Sequence, residues 1–150
     1  MLIDAALSYL HFVFAFILAG ALAAEAFVLR LAVDAPAARL LVRIDGFYGL
    51  SAVCVIAAGI ARVIWGAAGA GYYLEQPFFW AKMAAFALIG LISIAPTRAF
   101  FRWRRAAANA DFAVDEAERQ RVRRLVMIEL HLFALVPLFA VLMARGIGAG

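Results

Sequence analysis

Four long apolar runs, separated by short polar breaks, organise the chain at about Ala5–Leu29, Gly46–Trp65, Pro77–Phe100 and Leu125–Ala144. At about 1.5 Å of rise per residue, each run is long enough to cross about 30 Å of hydrocarbon as an α-helix. The pattern predicts an all-α integral membrane protein with a single domain over residues 1–150. Its four spans, joined by short connections, should pack as an up-down four-helix bundle. The bilayer is therefore the first expected partner. The first run has the small-x-small signature Ala21, Leu22, Ala23 of a signal-peptide cleavage site. The opening MLIDAALS, however, carries Asp4 and no Lys or Arg, so a retained span is expected.

Composition strengthens the membrane reading. Of the 150 residues 68% are hydrophobic, where about half is usual in a soluble domain. All of the fourteen basic side chains except Arg62, Lys82 and Arg145 fall in two breaks. Arg30, Arg39 and Arg43 follow the first span; Arg98, Arg102, Arg104, Arg105, Arg119, Arg121, Arg123 and Arg124 follow the third. Arginines that flank spans orient a chain, so both breaks are expected on the cytoplasmic side and the Lys/Arg-free loop GAAGAGYYLEQ on the other. The expected topology is N-out and C-out in a bacterial inner membrane. The same distribution accounts for the basic pI of 9.8 without nucleic acid, which is not expected as a partner. Cys54, the lone cysteine, has no intrachain partner and reads as a small packed hydrophobe.

The second basic break is the one sizeable polar stretch. Asp115, Glu116 and Glu118 precede Arg119, Arg121, Arg123 and Arg124 in a pattern that suggests a short amphipathic helix lying against headgroups. Glu118 and Arg121 are three apart and can meet on one face. Trp103, with Phe100 and Phe101, reads as an interfacial anchor, and Trp65, Tyr72, Tyr73 and Trp80 as an aromatic belt.

Ionisable residues inside the spans are costly and mark sites. They are His11, Glu25, Arg62, Lys82, Glu129 and His131, with Asp45 at the inner edge. Counting from the span ends puts His11, Arg62 and Lys82 in the outer half, and Glu25, Asp45 and Glu129 in the cytoplasmic half. Two polar layers result. His11, Leu18 and Glu25 recur every seven residues, within about 40° of one helical stripe, and should face the bundle interior. Lys82, Ile89 and Ser93 share a face in the same way. Glu129 and His131 are about 200° apart around their helix, so one of them must face away from any central site.

Pro137 should kink the fourth span just above His131, and Pro96 should end or bend the third. Ala15, Ala19 and Ala23 on the first span, and Ala81 and Ala85 on the third, repeat every four residues as close-packing stripes.

No phosphate-binding glycine loop, zinc-type Cys or His pairing, or nucleophile with a nearby base is present. The remaining chemistry is a buried imidazole with cations at its depth. Histidine in a helical bundle can ligate haem iron, and Arg62 or Lys82 can pair with propionates. His11 and His131 could flank a porphyrin, although counting separates their depths by about 7 Å.

The segments YLHFVFAFILAG, DGFYGLSA, YYLEQPFFWAKMAAFALIGLISIAPT and the following WRR resemble a family of small bacterial inner-membrane proteins known only as a domain of unknown function, number twenty-two fourteen. The likeness covers nearly the whole chain and implies a four-helix membrane fold without an activity. Leu10 with His11, and Trp80 to Lys82, are similar to positions in HemJ-type protoporphyrinogen oxidases and, more loosely, in CopD-type copper-resistance membrane domains. The HemJ resemblance implies a haem b associated with His11, and a functional role for Lys82. Glu25 and His131 have no counterpart in that pattern.

The reading that results is a haem b or porphyrin-binding redox protein. His11 would be the metal ligand, with Lys82, Arg62 and His131 as further cofactor-binding residues and a quinone or respiratory membrane protein as partner. The alternatives are a small transporter or channel with Glu25, Asp45 and Glu129 as a proton or ion path, or a structural subunit, including one of a homo-oligomer. A cavity at the His11 level favours the first, a continuous polar path the second, and internal pairing of His11 and of Lys82, the latter with Asp4 or Glu75, the third.

Overall fold

The computed structural model describes residues 2–66, 69–109 and 111–147. Expectations for 67–68 in the Lys/Arg-free loop, for 110 in the second basic break, and for the chain ends at 1 and 148–150 lie outside the described residues. The helices are α1 (Leu2–Val28), α2 (Ala35–Trp65), a short α3 (Gly69–Leu74), α4 (Pro77–Ala106) and α5 (Glu116–Ala144). The four long ones each contain a stretch with mean hydropathy of 1.9 to 2.4, long and apolar enough to span a membrane.

α2, α4 and α5 run well beyond their apolar runs. Hydropathy marks what touches lipid, whereas capping groups set where a helix begins. The Asp34 side chain accepts from the Ala37 amide at 2.9 Å and Pro36 occupies the first turn, so α2 starts eleven residues before Gly46 and carries Arg39 and Arg43 on its opening turns. Asp115 caps α5 by accepting from Ala117 and Glu118 amides at 3.0 and 3.2 Å. The expected amphipathic segment is thus the first part of the last span, not a separate helix. Neither internal proline ends its helix: α4 continues ten residues past Pro96, which is buried, and α5 continues past Pro137.

α1 packs chiefly on α2 and α4 chiefly on α5, and the two pairs join through α2 with α4 and α1 with α5. No diagonal pairing occurs among the described residues, so the four long helices form a ring in the up-down order. Phe16, Phe47 and Leu91 are among the large side chains exposed on its outside, as lipid-facing positions should be.

The two ends of the ring differ. At the end that holds the basic breaks, here the arginine end, the core is filled by Leu18, Leu22, Leu41, Phe100, Trp103 and Val126. The connections there are tied together: the Val114 amide donates to Val33 O at 3.1 Å, and Arg119 Nη1 donates to Leu29 O at 2.6 Å. The opposite, terminal end holds the beginning of α1, the end of α5 and α3. The buried alanines on α1 are Ala21 and Ala26, while Ala23 of the expected small-residue stripe is exposed.

Candidate functional site

The seven-residue stripe on α1 faces inward along its whole length: His11 lines a cavity, Leu18 is fully buried and Glu25 is nearly so. The cavity, about 480 Å³, lies in the terminal half of the ring, with Tyr73 of α3 in its wall. His11 from α1, Arg62 from α2 and Lys82 from α4 line it together, among otherwise apolar walls that include Ile60, Phe86 and Phe133. Three helices therefore converge these groups, as the depth count predicts.

His11 Nδ1 lies 3.1 Å from Val55 O. A carbonyl can only accept, so Nδ1 carries the hydrogen and Nε2 keeps its lone pair in the neutral ring. Lys82 Nζ sits 5.4 Å from the centre of the Phe79 ring, a cation–π contact. Among the described residues Arg102 pairs with Glu118 and Arg119 with Glu116, and the expected pairing of Lys82 with Glu75 is not formed. Arg62 Nε is buried without a hydrogen-bond partner. The α3 segment leans on this region through Tyr72, whose hydroxyl donates to Met143 O at 3.2 Å, and through the Tyr73–Phe79 ring contact.

His131 is not in the cavity. It is exposed on α5, with Nδ1 2.6 Å from Met127 O one turn back on its own helix. The 200° separation resolves in favour of Glu129, which points inward. A His11–His131 pair around one porphyrin is therefore not formed by this bundle.

The second polar layer is also brought together. Glu25, Asp45 and Glu129, from α1, α2 and α5, are 2%, 8% and 1% exposed, and Glu25 faces both of the others. Two hydroxyls missed by reading the sequence join the layer. Tyr48 donates to Glu129 Oε2 at 3.3 Å, and Thr97 donates to Asp45 Oδ1 at 2.7 Å. The signal for Tyr48 was its spacing of three from Asp45, which puts both on one face of α2.

Glu118 does not pair with Arg121. Its Oε1 accepts from Arg102 of α4 and, at 3.1 Å, from Trp103 Nε1. This explains why Trp103, expected at the interface, is only 3% exposed: its one polar atom has a partner on α5. Trp65 and Trp80 are exposed as a belt requires, whereas Tyr73 is buried.

Four lipid-length helices in a ring, apolar outside and with ionisable groups turned inward, define a multi-pass membrane protein. The chain belongs to the family described as predicted membrane protein (DUF2214), whose model matches residues 3–148. No curated protein and no solved structure matches it. Function therefore has to be argued from the two inward-facing layers.

Proposed function

We propose that the terminal-end cavity binds a porphyrin-type ligand, haem b in the first instance, and that the chain is a small redox protein of the bacterial inner membrane. The observation that carries this reading is a single apolar cavity that contains His11, with its Nδ1 hydrogen engaged by Val55 O, beside the two cations Arg62 and Lys82. A backbone carbonyl on one ring nitrogen fixes the imidazole and leaves Nε2 as the ligating atom, the usual arrangement at a metal-bound histidine. Arg62 and Lys82 would hold the propionates, and burial of Arg62 Nε without a partner fits an anionic ligand there. The volume falls within the range of about 300 to 1,000 Å³ typical of small-molecule sites. Haem held in this way supplies one-electron chemistry, and a quinone or a respiratory membrane protein is the class of partner that would exchange the electron. The likeness of His11 and Lys82 to HemJ-type positions points the same way.

The test is an absorption spectrum of the protein purified in mild detergent, with and without dithionite, beside His11→Ala. A Soret band that shifts on reduction and is lost in His11→Ala is expected. A colourless, folded protein from cells supplied with haem precursors would overturn the reading.

The proposed orientation puts the arginine end in the cytoplasm and both termini outside. Glu75→Cys, in a Cys54→Ala background, should react with a membrane-impermeant thiol reagent added to intact cells. Labelling only after lysis would reverse the topology. Glu75 suits this better than Gly69, whose φ of 76° disfavours any side chain.

A further inference from the structure

The carboxylate layer at the arginine end has no part in the porphyrin reading and needs its own account. Glu25, Asp45 and Glu129 come from three different helices and are all buried. The ionisable groups that face them are their own neighbours: Asp45 and Glu129 around Glu25, and Asp45 with Tyr48 around Glu129. From α4 the contact is the neutral Thr97, on Asp45. The arginines nearby are engaged or directed elsewhere. Arg119 is held by Glu116 and Leu29 O, Arg102 by Glu118, and Arg98 and Arg121 line a different groove between α4 and α5. Arg123, more than one turn nearer the arginine end of α5, has its Nε buried without a partner and makes no ion pair with them.

Hydrogen bonds do not complete the cluster either. Tyr48 satisfies one oxygen of Glu129 and Thr97 one oxygen of Asp45, but Glu25 Oε1 and Glu129 Oε1 are buried with no partner. Three adjacent carboxylates without a countercharge, two of them with an open oxygen inside the bundle, require positive charge from a ligand. A metal ion needs several donors around one point, and no three His, Cys, Asp or Glu side chains among the described residues form such a group. A proton needs one lone pair at a time, and the open oxygens of Glu25 and Glu129 each offer one.

Access is provided on one side. Asp45 and Tyr48 also line a groove of about 360 Å³ between α2 and α4, together with Gly49, Gly90, Ser93 and Thr97. Its hydroxyls and carboxylate offer the two to four polar contacts that an ordered water requires. Ile56, Phe86 and Ala87 belong both to this groove and to the terminal-end cavity, so the two spaces adjoin.

The geometry points to an intramembrane proton-binding site: Glu25 and Glu129 hold protons on their open oxygens, and Asp45 with Tyr48 exchanges them with water in the α2–α4 groove. Loading moves a proton from water to a carboxylate oxygen and involves no electron. The site stands independently of any ligand in the terminal-end cavity.

Infrared difference spectroscopy of the protein in lipid bilayers at neutral pH, in H2O and in heavy water, tests this. The wild-type protein should give a protonated carboxylic acid band that shifts on isotope exchange. Glu25→Gln and Glu129→Gln, checked for helicity by circular dichroism, should each lose part of that band. Asp45→Asn should slow isotope exchange of what remains. Absence of the band in the wild-type protein, a measurement that needs no variant to fold, overturns the proposal. So does a band unchanged in all three variants, or one abolished by sodium at constant pH, which would make the ligand a metal cation.

Discussion

The two halves of the bundle are built from the same four helices and do opposite things with them. At the arginine end, large side chains meet at full burial: the Phe100 ring lies 5.7 Å from that of Trp103 in a tilted contact, Leu18 and Leu22 are inaccessible, and two inter-helix connections are hydrogen-bonded to each other. At the terminal end the helices leave about 480 Å³ among half-buried Phe86, Phe133 and Val136. Association of helices in lipid depends on packing and polar contacts, because the surrounding chains are as apolar as the core. The filled half is therefore where the ring is held together, and the open half is free to keep a cavity that costs little elsewhere. The inward-facing groups also differ in sign, with Arg62 and Lys82 at the cavity and Glu25, Asp45 and Glu129 in the half with the packed core.

The sharpest way to break this contrast is to remove one phenyl ring from each half. Phe100→Ala empties a fully buried site and should destabilise the protein by about 2 kcal/mol or more, the packing share of a phenylalanine truncation once transfer to lipid is discounted. Phe86→Ala removes a half-buried ring that borders the cavity and packs on the edge of the core, and should cost about 1 kcal/mol. Thermal unfolding in one detergent, followed by circular dichroism, compares the two. Equal losses would mean that the terminal half is as much a part of the stabilising core as the arginine half.

How far the sequence spoke depended on the kind of signal. The inward stripe His11, Leu18, Glu25 was legible because a helix repeats nearly every seven residues, and that repeat survives any error in where the helix begins. The convergence of His11, Arg62 and Lys82 was legible from depth alone, since spans of fixed rise must bring equal counts to equal heights. Helix limits were not legible from hydropathy, because Arg39 and Arg43 are good helix residues that lipid excludes, and the cap at Asp34 decides the start. Pro96 does not stop its helix because neighbouring helices can support a span through a proline. Trp103 and Glu118 were misassigned for a shared reason. Their bond joins α4 to α5, and within-helix spacing, which suggested Arg121 for Glu118, carries no information about a partner on another helix.

That bond also gives the smaller test of the packed half. Glu118 Oε1 accepts from the buried indole of Trp103 and from the more exposed Arg102, and only the first should matter much for stability, because an ion pair in contact with water contributes little. Glu118→Ala would leave the indole N–H buried without an acceptor, a loss of about 1 to 2 kcal/mol. Trp103→Phe removes the donor together with its need for a partner, so in that background the added cost of Glu118→Ala should shrink to a few tenths of a kcal/mol, the share of Arg102. Thermal unfolding of the two single variants and the double variant completes the cycle. If Glu118→Ala costs the same with and without the indole, the clamp is an arginine pair at the surface, and the burial of Trp103 rests on its apolar packing in the core.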